Sequence, residues 1–315
     1  MAYKKKLIVL LSIIAALTLI YTASLVFDPE RTAARSSSYV WLDSRLVARV
    51  DRIVLSSDGE SRELVKKNNE WFVLHNGNEY PARQARIEDF LALFTQRVLS
   101  PVRYSNAASH AQLGLDAETA SRITISGENS ALLDILIGLE DNTGKEVYIR
   151  RAGQNEVRSG EYLITVYLRG KAGSWYDLKL FPESEDGRFT VDDIQRLLVY
   201  EEGPPLIFTR SNWEWTVSGA EVANPDSSVI ESYIRMVLIT EADDFSEVSI
   251  DSPELNHSRI VLELGNGSVR TIRLSEADDT GRRLAHVSGS RYVYSLPTWS
   301  VQRLFRNVSD FERQY

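Results

Sequence analysis

The feature that most restricts what this chain can fold into is a pattern written twice. Glu70-Trp71 with Val73 recurs as Glu214-Trp215 with Val217. Around them Arg52-Ile53-Val54-Leu55 falls on Arg196-Leu197-Leu198-Val199, Gly59 on Gly203, Leu64 on Phe208 and Lys66 on Arg210, without a gap. A second gap-free block sets Arg122-Ile123 on Arg259-Ile260, Asp141 on Asp278, Thr143-Gly144 on Thr280-Gly281 and Lys145 on Arg282, at a slightly shorter spacing. Two ordered blocks separated by a small deletion point to duplication, because length changes collect in surface loops while paired elements keep their spacing.

Each copy is then read by its period. Val50 to Leu55 and Glu63 to Leu74, separated by Ser-Ser-Asp-Gly, read as two strands joined by a turn. Ile87, Phe90, Leu91 and Phe94 follow at the spacing of one helix face, and Ile230, Tyr233, Ile234 and Val237 repeat that spacing. Hairpins over Gly127-Glu128-Asn129 and Gly265-Asn266-Gly267 come next, and Asn-Thr-Gly and Asp-Thr-Gly turns lead into further strands. The expected fold is α+β: two duplicated units, 45–190 and 191–315, each an antiparallel sheet covered by an amphipathic helix. Trp71 and Trp215 are read as core residues where sheet meets helix, in preference to ligand-stacking platforms. Asp141 and Asp278 are read as turn residues whose carboxylates accept backbone N–H bonds.

Ahead of the repeats, residues 7–27 carry no charge and follow Lys4-Lys5-Lys6. A helix of that length reaches about 31 Å, the thickness of a bilayer's hydrocarbon core. This reads as a single transmembrane helix, with residues 1–6 in the cytoplasm by the positive-inside rule and the bulk of the chain extracytoplasmic, on the periplasmic side of a bacterial inner membrane. A cleaved signal peptide is the rival, with Thr22-Ala23-Ser24 as a cleavage site; Tyr21 and Leu25-Val26-Phe27 argue against it. Residues 28–44 read as a linker, with Glu30 to Tyr39, small and polar, as a flexible stalk before the fold begins near Ser44.

The net charge of −8 includes those three lysines, so the remainder is more acidic still and repels phosphate backbones. Nucleic-acid binding is not expected. With no cysteine, thiolate catalysis and thiolate metal sites are excluded. His75, His110, His257 and His286 lack the spacing of a helical metal site, and no nucleophile elbow or phosphate loop appears. Asp243-Asp244 with Glu241 and Glu247, and Asp278-Asp279 with Glu276, match no calcium loop and read as solvated charge. No catalytic residue, cofactor or metal site is expected.

The anchor, the tryptophan strand and the segment Leu113-Gly114-Leu115-Asp116-Ala-Glu-Thr-Ala-Ser-Arg-Ile-Thr-Ile125 together resemble the bacterial domain of unknown function 4340 family. The second copy has Ser252-Pro-Glu-Leu-Asn-His-Ser-Arg in the corresponding place, without the glycine, so the role of Gly114 is not repeated. The resemblance implies an association with ABC-transporter subunits of the gliding-motility type: integral membrane permease and exported auxiliary subunits as partners. The expected function is therefore a non-catalytic, single-pass accessory subunit acting by protein contacts. Two alternatives stand beside it. One is an envelope polysaccharide- or peptide-binding module using Trp175, Trp213 or Trp299; the other is a hydrolase whose carboxylates and histidines gather only in the fold.

Overall fold

The computed structural model describes residues 37–201, 203–219 and 224–312. The apolar run at 7–27 and the linker residues 28–36 lie outside the described residues. Among those that are described, no helix is long and apolar enough to cross a membrane. The chain is mixed α+β, dominated by large antiparallel sheets with few helices, and it divides into two compact units between Trp175 and Tyr176.

The first unit holds strands β1 (Ser38–Tyr39), β2 (Arg52–Ser57), β3 (Glu60–Lys67), β4 (Glu70–His75), β5 (Asn78–Pro81), β6 (Val98–Leu99), β7 (Val102–Tyr104), β8 (Ser121–Gly127), β9 (Ser130–Glu140), β10 (Glu146–Arg151) and β11 (Val157–Glu161). Nine of them form one sheet in the order β5-β4-β3-β2-β8-β9-β10-β11-β7, while β1 pairs with β6. Where one strand was expected from Glu63 to Leu74 there are two. Asn68 and Asn69, at φ 51° and 70°, fold the chain back in a two-residue hairpin of the type that demands left-handed backbone at both positions. Asp58-Gly59, Asn76-Gly77 and Glu128-Asn129 turn the neighbouring hairpins in the same way. Register places Val73, Leu64, Ile53, Ile125 and Leu133 opposite one another, so a single buried apolar row crosses five strands.

Helix α1 (Gln84–Thr95) buries Ile87, Phe90, Leu91 and Phe94, the four residues whose spacing announced it. Phe90 and Phe94 meet edge to face at 5.1 Å, and Phe90 meets Trp175 at 5.5 Å. A shorter helix, α2 (Leu163–Arg169), buries Ile164, Thr165 and Leu168. The folded chain begins earlier than the expected linker boundary. Tyr39 pairs with Val98, Trp41 and Leu42 are 3% and 1% exposed, and the Arg158 guanidinium stacks 4.1 Å from the Tyr39 ring. Burial of two large apolar side chains outweighs the polar composition of the stretch around them.

The second unit holds β12 (Ile194–Tyr200), β13 (Leu206–Ser211), β14 (Glu214–Ser218), helix α3 (Ser227–Leu238), β15 (Asp244–Ser246), β16 (Ser258–Leu264), β17 (Val269–Leu274), β18 (Arg283–Val287), β19 (Val293–Leu296) and helix α4 (Thr298–Leu304). Its sheet runs β14-β13-β12-β16-β17-β18-β19-β15. Apart from β5, that is the strand order of the first sheet. Helix α3 starts at Asp226, whose carboxylate accepts from the N–H groups of Ser228 and Val229, and it buries Ile230, Tyr233, Ile234, Val237 and Leu238. Residues 176–190, expected with the first copy, pack with the second. Leu180 N–H donates to Thr240, Ala242 N–H donates to Leu178, and Leu180, Phe181 and Phe189 are buried.

Candidate functional site

The two tryptophans that mark the repeat occupy equivalent, buried positions: Trp71 is 4% exposed and Trp215 is 3% exposed. Each is tied through its backbone to the approach of the following helix. The Trp71 carbonyl accepts from Ala82 N–H at 2.8 Å, and Trp215 N–H donates to the Ser227 hydroxyl at 2.8 Å. The aromatics offered for ligand stacking separate into two groups. Trp175 is fully buried against Phe90, Tyr167 and Arg86, which removes its rings from any ligand. Trp213 and Trp299 are 79% and 48% exposed. Trp213 has φ 70°, where its counterpart Asn69 also has φ 70°, and the guanidinium of Arg210 lies 4.8 Å from its ring. A tryptophan tolerates that conformation far less well than asparagine does.

The Asp turns are built alike. Asp141 accepts from the Thr143 hydroxyl at 2.8 Å and from the N–H groups of Lys145 and Glu146. The carboxylate of Asp278 accepts through Oδ1 from the Thr280 hydroxyl at 2.7 Å and the N–H groups of Thr280 and Arg282. In both, the threonine hydroxyl is the chief cause that holds the carboxyl below the ordinary carboxylate range, with the backbone donors adding to it.

Gly114 sits at φ 66° and closes a short 3₁₀ turn, Ala111–Leu113. A Cβ there would lie 3.0 Å from Leu139 Cγ. In the second unit Asp251 falls on Gly114 and is not among the residues with positive φ, so no glycine is required there.

These turns matter because the second one borders a cleft of about 670 Å³. One wall is Pro253, Glu254, Asn256 and His257; the other is Ser275 to Asp278 with Arg282 and Arg283. Leu284 and Ser295 complete the lining. Arg282 is paired with Asp243 and donates to the Ser295 hydroxyl at 2.9 Å. Arg283 donates to Glu201 at 2.9 Å and Ser258 at 3.1 Å, and stacks 4.9 Å from the Phe305 ring. Both cations are thus already matched by carboxylates outside the lining. Among the described residues no three His, Cys, Asp or Glu side chains gather as a metal site. Asp278 lies at the cleft, as do His257 and Glu276, which the sequence reading set aside as chemistry; Trp71, Trp215, Gly114 and Asp141 do not.

At the corresponding register the first unit packs a loop against the strand. The strand residue beyond the Ser121–Ile137 pair is Gly138, and a Cβ there would come within 2.1 Å of the Leu113 carbonyl and 2.9 Å of Leu115 Cγ. Leu113 and Leu115 accordingly lie down on the strand, in a buried cluster with Leu136 and Val157. In the second unit the residue beyond the Ser258–Leu274 pair is Ser275. A side chain stands there where the first unit admits none, and its hydroxyl accepts from Leu284 N–H and donates to the Glu276 carbonyl.

Residues 71–246 match the family model described as domain of unknown function (DUF4340). The chain belongs to the DUF4340 family. The DUF4340 match runs from Trp71 on β4 to Ser246 on β15, taking in Gly114, Asp141 and Trp215, whereas the cleft and Asp278 follow it in the chain. No curated protein and no solved structure matches the chain. The polar lining of the cleft was not foreseen; the signals were the run Glu276 to Asp279, read as solvated charge, and the second copy's Ile250-Asp251-Ser252-Pro-Glu-Leu-Asn-His257 in place of the segment from Leu113 to Ala120.

Proposed function

We propose that this DUF4340 chain is a non-catalytic accessory subunit of an ABC-type transport or envelope complex. In this reading residues 7–27 hold it as a single-pass anchor in a bacterial inner membrane, with both sheet units on the periplasmic side. The observation that carries the reading is the uncharged run directly after Lys4-Lys5-Lys6, which has the length and the flanking charge of a spanning helix with a cytoplasmic N-terminus. Two units wired in one strand order support the further reading that a single domain was duplicated. The permease and exported auxiliary partners rest on family analogy.

The test is purification of the tagged full chain in mild detergent, followed by identification of what accompanies it. Integral permease subunits are expected to co-purify, and to do so still when residues 7–27 are exchanged for an unrelated spanning helix. Recovery of the chain without any permease subunit, under conditions that keep a known transporter intact, would remove the proposal.

A further inference from the structure

We infer that the cleft of the second unit, between the 253–257 turn and the 275–283 segment, is a binding site for a neutral, hydroxyl-rich ligand: a saccharide. The inference does not depend on the membrane reading.

The volume, about 670 Å³, falls within the range of small-ligand sites. Its lining decides the chemistry. Only Pro253, Ala277 and Leu284 are apolar, so an acyl chain or an apolar helix would leave many polar groups without partners. An anionic ligand would meet Glu254, Glu276 and Asp278, while the two arginines that would attract it are committed to Asp243 and Glu201. The paired guanidiniums of Arg282 and Arg283 still present N–H donors along that wall, which a hydroxyl oxygen accepts and a cationic group does not. What the cleft offers is a mixture: acceptor oxygens on Glu254, Glu276 and Asp278 Oδ2, and donors on Asn256, His257 and Arg282. A hydroxyl group both donates and accepts, and a row of hydroxyls satisfies such an alternation without adding charge.

Two observations sharpen the case. The first unit closes the corresponding place with Gly138 and the Leu113–Leu115 segment, so the opening is a specific departure within an otherwise shared wiring. The wall is also preformed: the Thr298 hydroxyl donates to the Thr280 carbonyl at 3.0 Å and the Asp278 carboxylate accepts from Thr280 and Arg282 within the same turn, so no loop has to be ordered for a ligand to bind.

The experiment is an array of neutral oligosaccharides, with oligo-lysine and inorganic phosphate run as soluble competitors. It is probed with the full chain in a detergent that carries no sugar headgroup. At least one neutral oligosaccharide is expected to bind, and binding is expected to fall about tenfold or more in Ala277→Trp, which fills the exposed rim, and in Glu276→Gln. Trp213→Ala, far along the chain on another hairpin, is expected to bind as the parent does. Thermal melts identify a variant that has lost its fold; because Ala277 and Glu276 are both exposed, the second keeps the test valid if the first does not fold. Absence of binding across the array, competition by oligo-lysine or phosphate, or binding unchanged by both rim variants would each overturn the assignment.

Discussion

One glycine and two aspartates show what single residues do here. Gly138 is where the first unit presses a loop onto its sheet, since any side chain would run into the Leu113 carbonyl. Gly138→Ala should therefore lower stability by about 1–3 kcal/mol, the usual range for overpacking, as read from a urea denaturation midpoint. No loss would mean that Leu113 to Leu115 do not lie on the strand. Asp141 and Asp278 carry lowered pKa values because hydroxyl and backbone donors favour the charged form. A carboxyl lowered in the folded state adds stability that is present above its unfolded pKa and is lost as the pH falls through the folded value. The double variant Asp141→Asn with Asp278→Asn should hence be less stable than the parent near neutral pH, and the gap should close as the pH is taken down through the carboxylate range. A gap that does not change with pH would show that the turns do not use the charge.

At the scale of elements, helices and hairpin positions could be read because they follow simple periods. The face Ile87, Phe90, Leu91, Phe94 was written in the spacing, and the structure buries those four residues. The strand break at Asn68-Asn69 escaped because neither glycine nor proline marks it; asparagine enters the left-handed region readily enough to turn a hairpin by itself. The start of the folded chain also escaped. Trp41 and Leu42 end the short apolar run Tyr39 to Leu42, held between three serines and an aspartate and too brief to show a period, and only tertiary contacts show that they are core. A chain beginning at residue 45 should therefore melt well below one beginning at 37, since it forfeits a buried tryptophan and a buried leucine, each worth about 2–5 kcal/mol. Equal melting temperatures by circular dichroism would place Trp41 outside the core. The cleft was legible least of all: its lining joins the 253–257 turn to the 275–283 segment and Ser295, and a polar lining leaves no periodic trace.

For the whole molecule, the shared strand order ties the repeated sequence to a repeated wiring, and an anchor preceding both would fix them to one side of a membrane. The side is the central claim, and the lack of cysteine makes it directly measurable. Single cysteines are introduced as Ala2→Cys, ahead of the lysines, and Asn76→Cys, on an exposed hairpin turn of the first unit. Spheroplasts are then treated with a membrane-impermeant maleimide. The account predicts that Asn76→Cys is labelled in intact spheroplasts and that Ala2→Cys is labelled only after lysis. Labelling of Ala2→Cys from outside, or protection of Asn76→Cys until lysis, would contradict it.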